Sequence, residues 1–486
     1  MSRQTRDWPI MPQQINAILI SQLRQLRARS RYLRMNDPYA SSFAGMKTRN
    51  IVGHMGVTMQ AKVKQQRGDK LNEKLNKELE QAWTTWCLPK YCSVKKDMGF
   101  AAMQQFLQAQ TPTDGEFFVQ RVVDKANPFG MSLRIVDPDQ LDAGYNSQIP
   151  LPNGNIIVMG VELDPELAPV AYHFFKPNLF YGASQPRERI RVPASDVIHY
   201  FVPWFVNQIR GIPEMAPSAY RLNMVSGYED AEAQAARLGA TKAGFFYNEK
   251  GETEYTGEKD KLDQNSFIDE VEPGQFDILP TGWKMQTYDP QHPNAAYAVF
   301  MKTALRAVSA GFGVDYPTLA NDLESVNLSS MRGGMMETRD GYRIGQQNFI
   351  QHFICRVFSW WLEAVDLKGA VTLGKVTRDV VEESIVWTPR RWGYIDPMKD
   401  VQADILANDN GLGTLTNSLA EKGMDFEETI DQIAYQQQYI KAKGVKLGAD
   451  LKGDSAGNGV VEEDDGETAS SGQQDGGNKS GAKGGS

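Results

Sequence analysis

The residues Gly369-Ala-Val-Thr-Leu-Gly374-Lys375-Val376 carry the G-x4-G-K spacing of a phosphate-binding loop. That chemistry needs a hydroxyl directly after the lysine to reach Mg²⁺, with a strand before the loop and a helix after it. Here Val376 takes the hydroxyl position, β-branched residues fill the loop, and helical periodicity precedes it. Nucleotide hydrolysis is therefore not expected. Asp114-Gly-Glu116 could serve as an acid pair, but a turn leading into a strand explains it better. The histidines His54, His173, His199, His292 and His352 are scattered without metal-ligand spacing. Cys87 and Cys92 lie five apart with Cys355 remote, which reads as ordinary thiols in a reducing compartment rather than a zinc site or a disulfide scaffold. No G-x-S-x-G elbow, H-E-x-x-H helix or dinucleotide fingerprint occurs. The residues point to no catalytic centre, no cofactor and no metal.

The elements that would position any site begin with a basic segment. Residues 1–70 hold 13 Lys/Arg against 3 Asp/Glu, a balance of +10, whereas 447–486 carry −5 and the body between them −13. A basic arm on an acidic body suggests surfaces with different partners. Ile15, Ile18, Leu19, Leu23, Leu26 and Leu33 recur at helical spacing, with Arg24, Arg27, Arg31 and Arg34 on another face. This stripe fits either a solvated face or a contact with acidic partners or nucleic acid. Neither a signal peptide nor a run of ~20 apolar residues is present, so no membrane role is expected.

A second charged helix is predicted over 69–86. From Phe117 to Tyr200 short strands replace helical periodicity: 117–123, 133–136, 156–161, 170–175, 189–192 and 197–202. Those at 156–161 and 170–175 form a hairpin around Asp164-Pro165-Glu166. The pattern is α+β rather than alternating βαβ units. A long helix over 217–240 ends in alanines, which favour helix and allow close approach. The polar stretch 241–290, with 11 Asp/Glu against 5 Lys, has strand-like edges at 243–247 and 276–279. A helix over 295–312 is apolar on nearly every side and should be covered on several faces. A loop with Pro317, Asn321, Asp322 and Asn327 then leads into a long helix, 329–365, whose buried stripe is Phe349, Ile350, Phe353, Ile354, Val357 and Trp361. Helical segments continue from Asp396-Pro397 to about Gly444, with a stop at Asn408-Asp-Asn-Gly411 and a restart near Thr416. The last 40 residues hold 11 Gly and no aromatic residue, a composition expected to be disordered.

From about Arg31 to Gly444 the chain resembles the lambda-like portal proteins of tailed phages. Ten segments carry the resemblance, in order: Asn50-Ile-Val-Gly53-His-Met-Gly56, Asp114-Gly-Glu-Phe-Phe118, Ile135-Val-Asp-Pro-Asp-Gln-Leu141, Gly160-Val-Glu-Leu-Asp164, Pro169-Val-Ala-Tyr-His173, Arg191-Val-Pro-Ala-Ser-Asp-Val-Ile-His199, Gln208-Ile-Arg-Gly-Ile-Pro213, Phe312-Gly-Val-Asp-Tyr316, Asn327-Leu-Ser-Ser330 and Trp387 to Lys399. Asn207 and Leu328 depart from the glycine and tyrosine usual in that family at those places.

The resemblance implies a homo-oligomeric ring, usually a dodecamer, at one capsid vertex, with double-stranded DNA passing through it during packaging and ejection. It implies an N-terminal arm (1–40), a wing (41–216 and 331–395), stem helices (217–240 and 291–314), a clip (241–290), a tunnel loop (315–330), a crown (396–446) and an acidic tail (447–486). Asn321, Asp322, Glu324, Ser325 and Asn327 are then expected to approach the DNA. The clip charges Lys250, Glu252, Glu254, Glu258, Lys259 and Lys261 are expected to dock the terminase large subunit and the head–tail connector. The basic arm is expected to face major capsid or scaffolding protein, away from the channel. The place implied is the virion, after assembly in the bacterial host cytoplasm. Two other classes stay open on the residues alone: a DNA-processing enzyme, such as a nuclease or the packaging ATPase, and a capsid or connector protein without a DNA channel.

Overall fold

The structure, a computed structural model, describes residues 13–65, 70–147, 149–176, 188–240, 244–248, 283–287, 295–324, 328–393, 397–421, 424 and 426–444. It divides into two units, Met1–Asp400 and Val401–Ser486. The chain is mixed α and β, and among the described residues four sheets form, in which every strand pairing is antiparallel.

The first unit opens with α1 (Ile15–Asn36) and α2 (Pro38–Lys47), separated by Asp37, which caps α2 by accepting from Ala40 N at 2.8 Å. A π-helical turn, Thr48–Val52, follows α2. After β1 (Thr58–Ala61), α3 (Glu73–Trp86) starts at its Asn72 cap. The short helix α4 (Pro89–Cys92), α5 (Phe100–Gln108) and the turn α6 (Thr111–Asp114) lead into β2 (Glu116–Val123). Strand β2 is the centre of a three-stranded sheet, between β3 (Met131–Val136) and β8 (Val197–Phe201). A four-stranded meander lies beside it: β4 (Ile156–Val158), β5 (Val161–Leu163), β6 (Pro169–Phe175) and β7 (Arg189–Pro193).

Strand alternation decides how β2 unites the cores. Phe117 faces the larger core, stacked on Tyr200 and edge-on to Phe353. Phe118 faces the opposite way, into the cluster of Tyr172, Phe174, Val161 and Val192 beneath the meander. The larger core is aromatic: Trp83, Trp86, Phe100, Phe353, Phe358 and Trp361, all buried, with Trp387 packed against them. Burying a side chain of this size contributes roughly 1.5–3 kcal/mol.

The rest of the first unit is helical. After α7 (Ala216–Ala240), β9 (Gly244–Asn248) pairs with β10 (Trp283–Thr287), and α8 (Ala295–Phe312) returns. A short α9 (Tyr316–Ala320) precedes α10 (Leu328–Phe349), which continues through a π turn, Ile350–Ile354, into α11 (Cys355–Lys368). Then come α12 (Arg378–Glu383) and β11 (Ile385–Thr388), which pairs with β1. The helix α13 (Pro397–Asp409) runs into the second unit, which continues with α14 (Leu415–Glu421) and α15 (Phe426–Lys443).

The structure corrects several expectations. The arginine stripe of α1 is not a solvated face. Arg27 is 2% exposed and meets the Glu116 carboxylate and Asp139. Arg31 pairs with Asp114, Asp137 and Asp139, and Arg34 donates to the Ala109 carbonyl; of the four only Arg24 is exposed without a carboxylate. The partners lie about a hundred residues downstream, so helical spacing could not reveal them. The strand expected over 156–161 is two strands, because Met159 and Gly160 turn the chain with φ of +47° and +82°. The stretch after α8 contains α9 rather than open loop, and the helix expected over 329–365 carries the π turn. The strand edge expected at 276–279 lies outside the described residues.

Asp114 and Glu116 flank Gly115, whose φ is +77° and whose added Cβ would lie 2.2 Å from the Ile212 carbonyl carbon. They bind intramolecular cations rather than acting as an acid pair. Glu116 accepts from Arg210 Nη2 at 2.6 Å and Gly211 N at 2.6 Å, and lies 3.0 Å from His199 Nε2. Burial pushes its carboxyl up, but the Arg210 and Arg27 guanidiniums outweigh this and hold it well below the usual carboxylate range. Burial lowers His199 more than Glu116 raises it.

Candidate channel elements

The antiparallel pair α7 and α8 is built from two faces with opposite fates. Val225 on α7 packs against Met301, Ala304 and Leu305 on α8, all buried. Near the base of the pair Ser218 Oγ donates to the Val308 carbonyl at 3.1 Å. Gly311 allows that approach, since a Cβ there would stand 2.1 Å from Ser218 Oγ. Outward, large apolar side chains stand among polar ones such as Arg221 and Asn223: Tyr220 is 77% exposed, Met224 56%, Val299 69% and Phe300 49%.

Beyond α8 the chain turns at Gly313, φ +65°, and Asp315 caps α9, accepting from Thr318 N at 3.1 Å. Asn321, φ +53°, ends α9 in the left-handed region, where asparagine is tolerated. The Asp322 carboxylate accepts from the Tyr316 hydroxyl at 2.7 Å and pairs with Lys302 of α8 at 3.1 Å. The Tyr316 bond and then Lys302 hold Asp322 below its ordinary value. Burial, with the Asp322 bond, pushes the Tyr316 phenol up to about 12, so it keeps its proton and donates. Glu324 follows, its N–H on Asp322 at 3.2 Å. Asn321, Asp322 and Glu324 thus follow α9, with Asp322 tied back to Lys302 near the middle of α8 and already compensated by that cation. Ser325 and Asn327 lie outside the described residues, as do Lys250, Glu252, Glu254, Glu258, Lys259 and Lys261.

The anchors Lys302 and Tyr316 and the Ser218–Gly311 contact were not singled out from the sequence. A lone Lys on an apolar helix and a Gly one residue before its end were the available signals. The 369–376 segment follows the end of α11 at a left-handed Gly369, and Val371 and Leu373 point into the core rather than cradling an anion. Cys87 and Cys92 are thiols that burial pushes up, Cys92 to about 12. Among the described residues no group of His, Cys, Asp and Glu is placed to hold a metal, and no helix is long and apolar enough to cross a membrane.

A family model described as "Phage portal protein, lambda family" matches residues 1–346. The chain is 32% identical over 428 residues to a "Probable portal protein" of Halomonas phage phiHAP-1, covering 86% of this chain and 81% of that one. It is 22% identical to Portal protein B of Escherichia phage lambda, over 91% of this chain and 89% of the relative. Among solved structures, a chain from the neck of a native gene transfer agent particle aligns with a TM-score of 0.46 at 12% identity, covering 83% of this chain and 94% of the other. The two phage relatives are named as portal proteins and not as enzymes. This chain belongs to the lambda family of phage portal proteins.

Proposed function

We propose that copies of this chain close head-to-tail into a ring, a dodecamer, at one capsid vertex of the virion, and that double-stranded DNA enters and leaves through the hole. The single observation that supports it most is the α7–α8 pair, which buries one apolar face within the chain and exposes Tyr220, Met224, Val299 and Phe300 on the others. A closed ring needs a heterologous interface, two different surfaces of each subunit meeting around the circle. In this reading α7 and α8 are the stem, 241–290 the clip, 315–330 the tunnel loop and 396–446 the crown.

The tunnel loop would face DNA with Asn321, Asp322, Glu324, Ser325 and Asn327. Because Lys302 neutralises Asp322, Glu324 is the acid among the described residues left to repel phosphate. A wall without a lysine cluster does not brake a sliding polyanion, since each phosphate contact adds salt-dependent affinity. The clip would dock the terminase large subunit, whose ATPase supplies the packaging force, and later the head–tail connector. With Arg27, Arg31 and Arg34 bound inside the chain, a contact with capsid or scaffolding protein would fall to Arg24 and to residues before α1. Assembly would take place in the host cytoplasm.

Negative-stain imaging of the purified protein tests the reading: closed rings with a central hole support it, and a monomer or an open filament overturns it. Deleting 250–270 should leave rings intact and abolish terminase binding.

A further inference from the structure

Three segments remote in sequence bring arginines together on the first unit. Arg49 lies in the π turn after α2, Arg339 on α10, and Arg390 just after β11. Arg390 Nη1 donates to the Arg49 carbonyl at 2.7 Å, and its stem lies over Gly53, where a Cβ would meet Arg390 Cβ at 2.8 Å. Trp392 is fixed by its Nε1 bond to Asn50 Oδ1 at 3.0 Å. The guanidinium of Arg339 stands 5.7 Å from the Trp392 ring centre and that of Arg390 6.0 Å. Cation–π contacts of this kind hold the planar groups in place without neutralising them.

What the cluster lacks is an anion. Among the described residues Arg49, Arg339 and Arg390 form no ion pair, and Arg339 Nε is buried with no hydrogen-bond partner. Among the described residues, Asp400 pairs with Arg332 at 2.7 Å and Asp340 with Arg343 at 2.9 Å. Burial lowers Arg339 and the charges of Arg343 and Arg390 lower it further, outweighing the opposing charge of Asp400; Arg390 is lowered by burial and then by Arg49, against Tyr342. Cations that repel one another, held rigid in a chain of net charge −8, form a local exception to its acidic field.

We propose that Arg49, Arg339 and Arg390 form a phosphate-backbone contact for double-stranded DNA. The choice of DNA rests on the portal reading above. Guanidinium forks match phosphate oxygens in bidentate geometry, and the Trp392 platform presets two of them. Three cations make a shallow grip: salt should weaken binding with a slope of about −2.7 in log affinity against log salt. Such a contact holds DNA loosely and releases it readily.

The test is a salt titration of a fluorescent DNA duplex on the full-length protein, with rings verified by imaging in the same samples. The double variant R49Q/R339Q should reduce the slope to about −0.9, and R49Q alone, at an exposed position that leaves folding intact, to about −1.8. R24Q, on α1, should leave it unchanged. Rings with an unaltered slope in the variants overturn the DNA contact and leave the portal reading standing. Absence of rings overturns the portal reading whatever the slope. Polyglutamate that binds as tightly as DNA, and loses binding in R49Q, would assign the cluster to an acidic protein and overturn the proposal.

Discussion

Glu116 is the residue on which the join between α1 and the β2 sheet turns. It is fully buried and receives Arg27, Arg210, His199 and the Gly211 N–H. Glu116→Gln removes the carboxylate shared by two buried guanidiniums, of which Arg27 keeps Asp139 while Arg210 loses its ion pair, and breaking a buried pair in this way costs about 3–5 kcal/mol. We expect a fall in Tm of several degrees or more, measured by calorimetry. A Tm equal to wild type would show that the guanidiniums find other anions. The same site sets a pH response. His199 and His173 titrate below their ordinary value of 6.5 in the fold, chiefly through burial, so below about pH 6.5 the unfolded chain takes up protons the folded one refuses. Glu116 adds stability that is complete above the unfolded carboxylate value, about 4.3, and is lost as pH falls through its lower folded value. Stability should therefore be level from pH 7 to 8 and decline steadily below 6.5. A Tm that rises on acidification to pH 5.5 would contradict this.

At the scale of elements, the π turn Ile350–Ile354 sets the phase between α10 and α11. Phe349 and Phe353 before and within it, and Val357 and Trp361 after it, all reach the same core. A π turn holds one residue more than an α turn. Deleting the exposed Gln351 should close it to an α turn of nearly the same angle, leaving α11 in phase and Trp361 against Trp83, so the variant should keep its cooperative melting transition, as should Gln351→Ala. Loss of the transition in the deletion alone would show that the core needs the π turn itself.

Legibility in the sequence differed among the elements for physical reasons. Helix α8 was readable to the residue because its apolar run is long and bounded. The six-residue helix register around 349–361 was equally clear, yet a π turn leaves almost no trace in periodicity. The break between β4 and β5 was hidden because Met159, not a glycine, takes the first positive φ. The pairing of β1 with β11 joins Thr58 to Thr388, and no local pattern encodes so distant a partner. Asn321, Asp322 and Glu324 were named only through the family resemblance, and the cation beside Asp322 was not foreseen.

At the scale of the whole molecule, the four hydrophobic clusters that involve α1 to β11 contain no residue beyond 400. Truncation after Asp400 should leave the main melting transition of the first unit within a few degrees of the full chain, by calorimetry; its loss would mean that the second unit supports that core. Ring closure should depend instead on the outward α7 and α8 faces. Met224→Glu with Val299→Glu changes exposed positions, where substitutions usually alter stability by about 0.5 kcal/mol or less. The variant should stay folded and sediment as monomer; rings formed as readily as wild type would remove these side chains from the subunit interface.

The β1–β11 ladder also governs timing. A ribosome that has made the first strand must still synthesise more than three hundred residues before its partner exists, and until then the Trp83 side of the core has no lid. That side of the core therefore closes only when nearly all of the first unit has been synthesised.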